Sequence, residues 1–172
     1  MATQIGNDLV ALQTGGVLGT SEFVIANEYL NRSPSSILTA YLIDILDDFS
    51  RLNTGGDYPL YISHLPDVED ICAACFDTDG ILDSKDMGGG TSVHQGVQLR
   101  VRNRDYETGR NKIDSVAGKL DMIHSVEITS DSYTFELINA NRTTSIVYIG
   151  TGPNRKRNYD FTVNYLLTIK EL

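Results

Sequence analysis

The chain has 172 residues, 41% hydrophobic and 22% charged, with 23 acidic side chains against 14 basic ones and a net charge of -9. That length suits one domain burying roughly 70% of its unfolded surface and is cramped for two. The acidic balance argues against a protein built to grip nucleic-acid phosphates, and no apolar run approaches the roughly 20 residues of a bilayer span.

Residues 1–32 show no sustained period, because Gly15, Gly16 and Gly19 interrupt it, and they read as an N-terminal arm, either partly mobile in isolation or ordered against a neighbouring subunit. The start of the chain has neither the basic opening nor the apolar core of a signal peptide, so synthesis in the cytoplasm is expected. Ser33-Pro34 then opens the first clear element, with serine suited to the N-cap and proline to the first helical position. Ile37, Leu38, Tyr41, Leu42, Ile45, Leu46 and Phe49 form one stripe of a helix that Asn53-Thr54-Gly55-Gly56 stops.

Residues 58–65 read as a strand and Pro59 puts it at an edge or a strand start, while 71–76 read as a short apolar strand. Cys72 and Cys75 lie three apart on that strand and so point to opposite faces, which makes them buried structural thiols and neither a redox pair nor half a zinc site. Residues 77–90 read as a loop: four glycines, scattered charges and no period. Asp77-Thr78-Asp79-Gly80 resembles the start of a calcium loop, but glycine comes fourth and the twelfth position is Gly88. Gly88-Gly89-Gly90-Thr91-Ser92 lacks the lysine and the following helix of a phosphate loop.

Val97, Leu99 and Val101 alternate with Gln98, Arg100 and Arg102, the period of a strand with one buried face. From Tyr106 the period lengthens, and Arg110, Ile113, Val116, Ala117, Leu120 and Ile123 trace one face of a helix with Asp105 as its N-cap. Strands follow at 125–129, 132–139 and 145–150. In the last strand Tyr159, Phe161, Val163, Tyr165, Leu167 and Ile169 share one face. The order predicts an α+β fold: a mixed, mainly antiparallel sheet with two main helices packed on one face, plus a projecting loop or hairpin. Residues 33–172 form a single domain on this reading.

No spacing supports a catalytic residue, a metal site or a cofactor. Arg100, Arg102 and Arg104 share the polar face of one strand, either as a solvated face paired with acids on the next strand or as a contact between subunits. With enzyme motifs discounted, they are subunit-interface candidates, and charge reversal at Arg102 is expected to weaken assembly while leaving the monomer folded. Arg155, Lys156 and Arg157, a basic cluster before the last strand, are candidates for contact with a partner.

Three features in this order resemble the tail terminator proteins of long, flexible-tailed bacteriophages, also labelled minor capsid or tail completion proteins. They are the helix of residues 33–52 leading to Tyr58-Pro-Leu-Tyr-Ile-Ser63, the strand Val97-Gln-Leu-Arg-Val-Arg102 running into Tyr106-Glu-Thr108, and Gly150-Thr-Gly-Pro153 before Tyr159-Asp-Phe-Thr-Val-Asn-Tyr165. The resemblance implies a structural virion protein at the tail–neck junction, not an enzyme. It implies a homo-oligomer, a hexameric ring, that caps the tail tube, ends its polymerisation, and meets the major tail tube protein and the head-completion or neck proteins. DNA would pass through the lumen without specific binding. The alternatives are another neck or connector subunit, or a cation- or small-molecule-binding domain built on residues 77–90. The chain departs from the family pattern in its long arm, in the 77–90 insertion, and in Gly109 and Gly118. Each of those glycines costs its helix roughly 1 kcal/mol, so either Gly118 meets a close neighbour or the helix is shorter.

Overall fold

The computed structural model describes residues 32–51, 58–85, 91–130, 133–150 and 158–172. Residues 1–31 of the arm, residues 86–90 and the basic cluster Arg155, Lys156 and Arg157 lie outside those residues. Helix α1 spans Pro34–Ile45 and α2 spans Tyr106–Leu120. The strands are β1 Phe49–Arg51, β2 Tyr58–Ile62, β3 Cys72–Lys85, β4 Thr91–Asn103, β5 Val126–Ser130, β6 Tyr133–Arg142, β7 Val147–Gly150 and β8 Tyr159–Glu171.

All eight strands join one curled sheet in the order β1-β2-β3-β4-β8-β6-β5, with β7 also on β8. The pairs β1–β2 and β2–β3 are parallel and the others antiparallel. This corrects the α+β expectation. The fold is dominated by its sheet, and the helices are lesser elements laid on it. Two segments account for the difference. Residues 77–85, expected as loop, continue β3 and pair with β4 out to Lys85–Thr91. Thr78, Asp79, Gly80 and Ile81 are all exposed, so this part of the strand has no buried face and leaves no alternation in the sequence; its backbone pairs with β4. Phe49, expected in the helix stripe, opens β1 instead. The chain leaves α1 at Leu46, which is extended (φ -129°, ψ 103°), and Phe49 buries its ring edge-on against Tyr58 with centroids 6.0 Å apart. A strand satisfies its hydrophobicity as well as a helix would.

Local signals set both helix starts. Ser33 caps α1 by accepting from the Ser36 N–H at 3.2 Å, and Asp77, reaching across from β3, accepts from the Ser35 N–H at 2.8 Å. Asp105 caps α2 through the Thr108 N–H at 2.7 Å, a bond that holds its carboxyl below the usual carboxylate range. Asn103 sits at the junction. It accepts from the Asp105 N–H at 2.8 Å and donates to the Tyr58 hydroxyl, tying the end of β4 to β2.

The core lies on one face of the sheet. There Ala73, Cys75, Val97, Leu99, Val101, Phe161, Val163, Tyr165 and Leu167 meet Ile37, Leu38, Tyr41 and Leu42 of α1, and Ile113, Val116, Ala117 and Leu120 of α2. The register of the central pair sets Val97 opposite Tyr165, Leu99 opposite Val163 and Val101 opposite Phe161.

The glycines divide by position. A β-carbon at Gly96 would lie 2.3 Å from the Asp79 carbonyl, and one at Gly80 2.4 Å from that of His94, so both serve the bulge where the β3–β4 hairpin bends. In α2 the close packing falls on Gly109, whose β-carbon would meet the Phe161 ring at 2.9 Å and Asn103 at 3.0 Å, while Gly118 faces open space. The two substitutions therefore have opposite signs. Gly118→Ala should raise stability by about 1 kcal/mol. Gly109→Ala should lower it, because overpacking of about 1–3 kcal/mol outweighs the same propensity gain. Urea midpoints that move in the same direction would refute the assignment.

Candidate functional site

The polar face of β4 distributes its three arginines differently from the sequence expectation. Arg102 stands directly opposite Asp160 on β8. Its Nε donates to Oδ1 at 2.7 Å and its Nη2 to Oδ2 at 3.1 Å, with side-chain exposures of only 6% and 8%. The hydrogen bond to Asp160 holds the guanidinium above its ordinary pKa. Nη1 donates at 2.7 Å to the Pro66 carbonyl, which pins the turn between β2 and β3 to the sheet. The guanidinium is thus engaged inside the subunit, and charge reversal there would strike the fold itself.

Arg104 extends the arrangement outward. Its Nε and Nη2 donate to Asp70 Oδ2 at 3.0 and 2.7 Å from an exposed position, and Asn158 donates to the other Asp70 oxygen at 2.9 Å. Arg100 lies over the Phe76 ring at 5.4 Å, and its Nε is buried with no hydrogen-bond partner among the described residues.

A second surface was not singled out from the sequence. Tyr106, Val147, Tyr148 and Ile149 are each 42–47% exposed, and they are four of the nine large apolar side chains exposed among the described residues. Tyr106 at the start of α2 contacts Tyr148, Tyr159 and Phe161 at centroid distances of 5.8, 5.6 and 5.1 Å. Beneath them Phe161 is fully buried. Among the described strands β7 pairs only with β8, and the pairing shifts register at Ile149 before Gly150 (φ 106°). The available signal was the unbroken apolar run Ile146-Val147-Tyr148-Ile149, where a half-buried edge strand would alternate.

A family described as bacteriophage tail terminator protein matches residues 14–167. The chain belongs to that family. Its place is therefore among the structural tail proteins of the virion, in agreement with the resemblance read from the sequence. No curated protein matches. Among solved structures, a chain titled "Virion of native gene transfer agent (GTA) particle" is similar at 8% identity and a TM-score of 0.44, over 66% of this chain and 78% of that one.

Other features of this tail terminator fit a structural role. Cys72 and Cys75 are free, fully buried thiols on opposite faces of β3, and burial pushes each up to about 12. A cavity of about 620 Å³ opens between α1 and β5, lined by Ala40, Tyr41, Ile43, Asp44, Glu127, Ile128 and Thr129. No His, Lys, Arg or Cys stands among those side chains. Among the described residues no helix is long and apolar enough to cross a membrane.

Two outcomes follow from the buried groups. Arg102→Ala leaves the Asp160 carboxylate buried and unpaired, and should cost about 3–5 kcal/mol in urea unfolding. Arg102→Met combined with Asp160→Leu should recover most of that loss; a cost below about 1 kcal/mol for the single variant would show that the pair does not hold the turn. The thiols, almost wholly protonated at pH 8 and shielded from reagent, should resist Ellman's reagent in the folded chain and both react in denaturant. Rapid labelling of either cysteine without unfolding would contradict their placement.

Proposed function

We propose that this tail terminator forms a ring, hexameric as the family resemblance implies, that caps the last ring of the tail tube and ends its growth. The opposite face of the ring meets the head-completion or neck proteins. The observation that carries this reading is the family match, which spans residues 14–167 and so nearly the whole chain.

The chemistry of the chain supports it. A closed ring needs two different surfaces on each subunit that meet by rotation. Arg100, on the polar face of β4, and Arg104, exposed just past its end, are the cations of this segment not closed off inside the subunit as Arg102 is. Arg155, Lys156 and Arg157 remain candidates for contact with tube or neck proteins. A net charge of -9 gives a lumen that repels DNA phosphates, so a genome can slide through without being held.

Electron microscopy of the purified chain, alone and mixed with tail tubes, tests the proposal. Six-fold rings, and tubes that stop elongating once capped, are expected. A chain that stays monomeric at high concentration and leaves tube growth unaltered would sink it.

A further inference from the structure

We infer that the aromatic and aliphatic patch around β7 is the apolar centre of the contact between neighbouring copies of this chain. The inference rests on the ring reading and assigns the surface that makes the ring.

The pattern of β7 is that of an interior strand. Val147 and Tyr148 point to opposite sides of the sheet, opposite Thr162 and Phe161 of β8, and Ile149 protrudes at the register shift. All three are nevertheless exposed, at 47%, 42% and 44%. A strand apolar on both faces is ordinarily covered on both faces, and an edge strand meant to stay in water is usually guarded by charge or proline. Residues 143–150 contain neither. The aromatic group is also pre-organised. Tyr106 and Tyr148 are held edge-on or tilted over the buried Phe161, so docking onto them freezes few rotamers. Rigid tyrosines over a dry base are the side chains that most often anchor interfaces.

Charge selects a second copy as the occupant. Two copies of a chain with a net charge of -9 repel wherever their acidic surfaces face each other. Residues 143–150 form a stretch free of charge, so on this side of the contact an acidic subunit meets the different surface of its neighbour without that repulsion. A basic partner would gain nothing from such ground and would be drawn to the acidic surfaces instead. Apolar interface cores are most pronounced in homo-oligomers.

The experiment compares the full-length chain with Val147→Glu, Ile149→Glu and the control Val68→Glu, by analytical ultracentrifugation, electron microscopy and circular dichroism melting. Val68 is 78% exposed on the turn between β2 and β3 and takes no part in the aromatic cluster of Tyr106, Tyr148 and Phe161, so it adds the same charge to a lone apolar side chain. Val147→Glu and Ile149→Glu should weaken association about a hundredfold, the size of losing an interface anchor, with melting unchanged. Val68→Glu should assemble as the parent does. Hydrogen exchange at residues 146–150 in the parent should slow as concentration drives assembly. If the parent forms rings and both β7 variants do too, the patch is not the contact although the ring reading stands. Rings that form normally but no longer cap tubes would assign the patch to the tube protein and overturn the inference. A parent that never assembles would remove the ring reading, and this inference with it.

Discussion

The register of β4 against β8 is the constraint on which the rest of the molecule depends, and the Arg102–Asp160 pair marks it. These two residues face each other directly across the sheet, nearly closed to solvent, on the side away from the helices. A slip of one residue would turn the guanidinium toward the core and Val101 toward the opposite face, because side chains alternate along a strand. Neither state is tolerable, so polar and apolar faces fix the same register from opposite sides. From it follow the rows that receive both helices: Val97, Leu99 and Val101 on β4, and Phe161, Val163 and Tyr165 on β8. The same guanidinium also binds the Pro66 carbonyl, so one side chain sets the register and holds the turn between the second and third strands.

A sheet built outward from such a centre must end in edges, and the edges differ in kind. At one end Phe49 of the short β1 and Tyr58 of β2 lie beneath Lys112 of α2, whose ammonium lies 4.0 and 4.9 Å from the two ring centroids and pairs with Asp48. That edge is covered from within the chain. The β3–β4 hairpin projects with its faces in solvent as far as Ile81 and bends at glycine bulges, which blunt its capacity to pair with strangers. Only β7 combines an outer position with an apolar surface on both sides.

What the sequence disclosed, and what it withheld, sorts by the range of the interaction. Ser33 and Asp105 were legible as caps because a cap is made with residues two or three positions on. The faces of β4, α2 and β8 were legible because mainly apolar residues line one side of each and mainly polar residues the other. The partner of Arg102 was not, because Asp160 lies 58 residues away and only the register brings them together. Asp77 looked like a calcium ligand in sequence, and in the fold it reaches 42 residues back to the start of α1. The extension of β3 was invisible because exposure on both faces over residues 77–81 erases period, and the exposed surface of β7 was missed for the converse reason. An all-apolar run announces burial without saying by what. Gly109 and Gly118 are equivalent in sequence; only the tertiary contact with Phe161 separates them.

These distinctions bear on how a tail protein can be stable alone and still assemble. An arginine spent on assembly cannot also be the one that holds the sheet, since its desolvation has to be offset in the free subunit before any neighbour arrives. Arg102 is offset internally by Asp160 and the Pro66 carbonyl, which leaves it nothing to offer a neighbour. Arg104 is half engaged with Asp70, and Arg100 keeps a buried nitrogen without a partner among the described residues. Of the three cations, Arg102 is therefore wholly structural, and Arg104, just past the end of β4, is the most exposed. An apolar patch has no such conflict: its exposure costs the free subunit solubility more than fold, and its burial stabilises only the assembly. In the proposed ring, ion pairs inside the subunit and an apolar patch between subunits would divide the work, so that an acidic chain folds first and associates second.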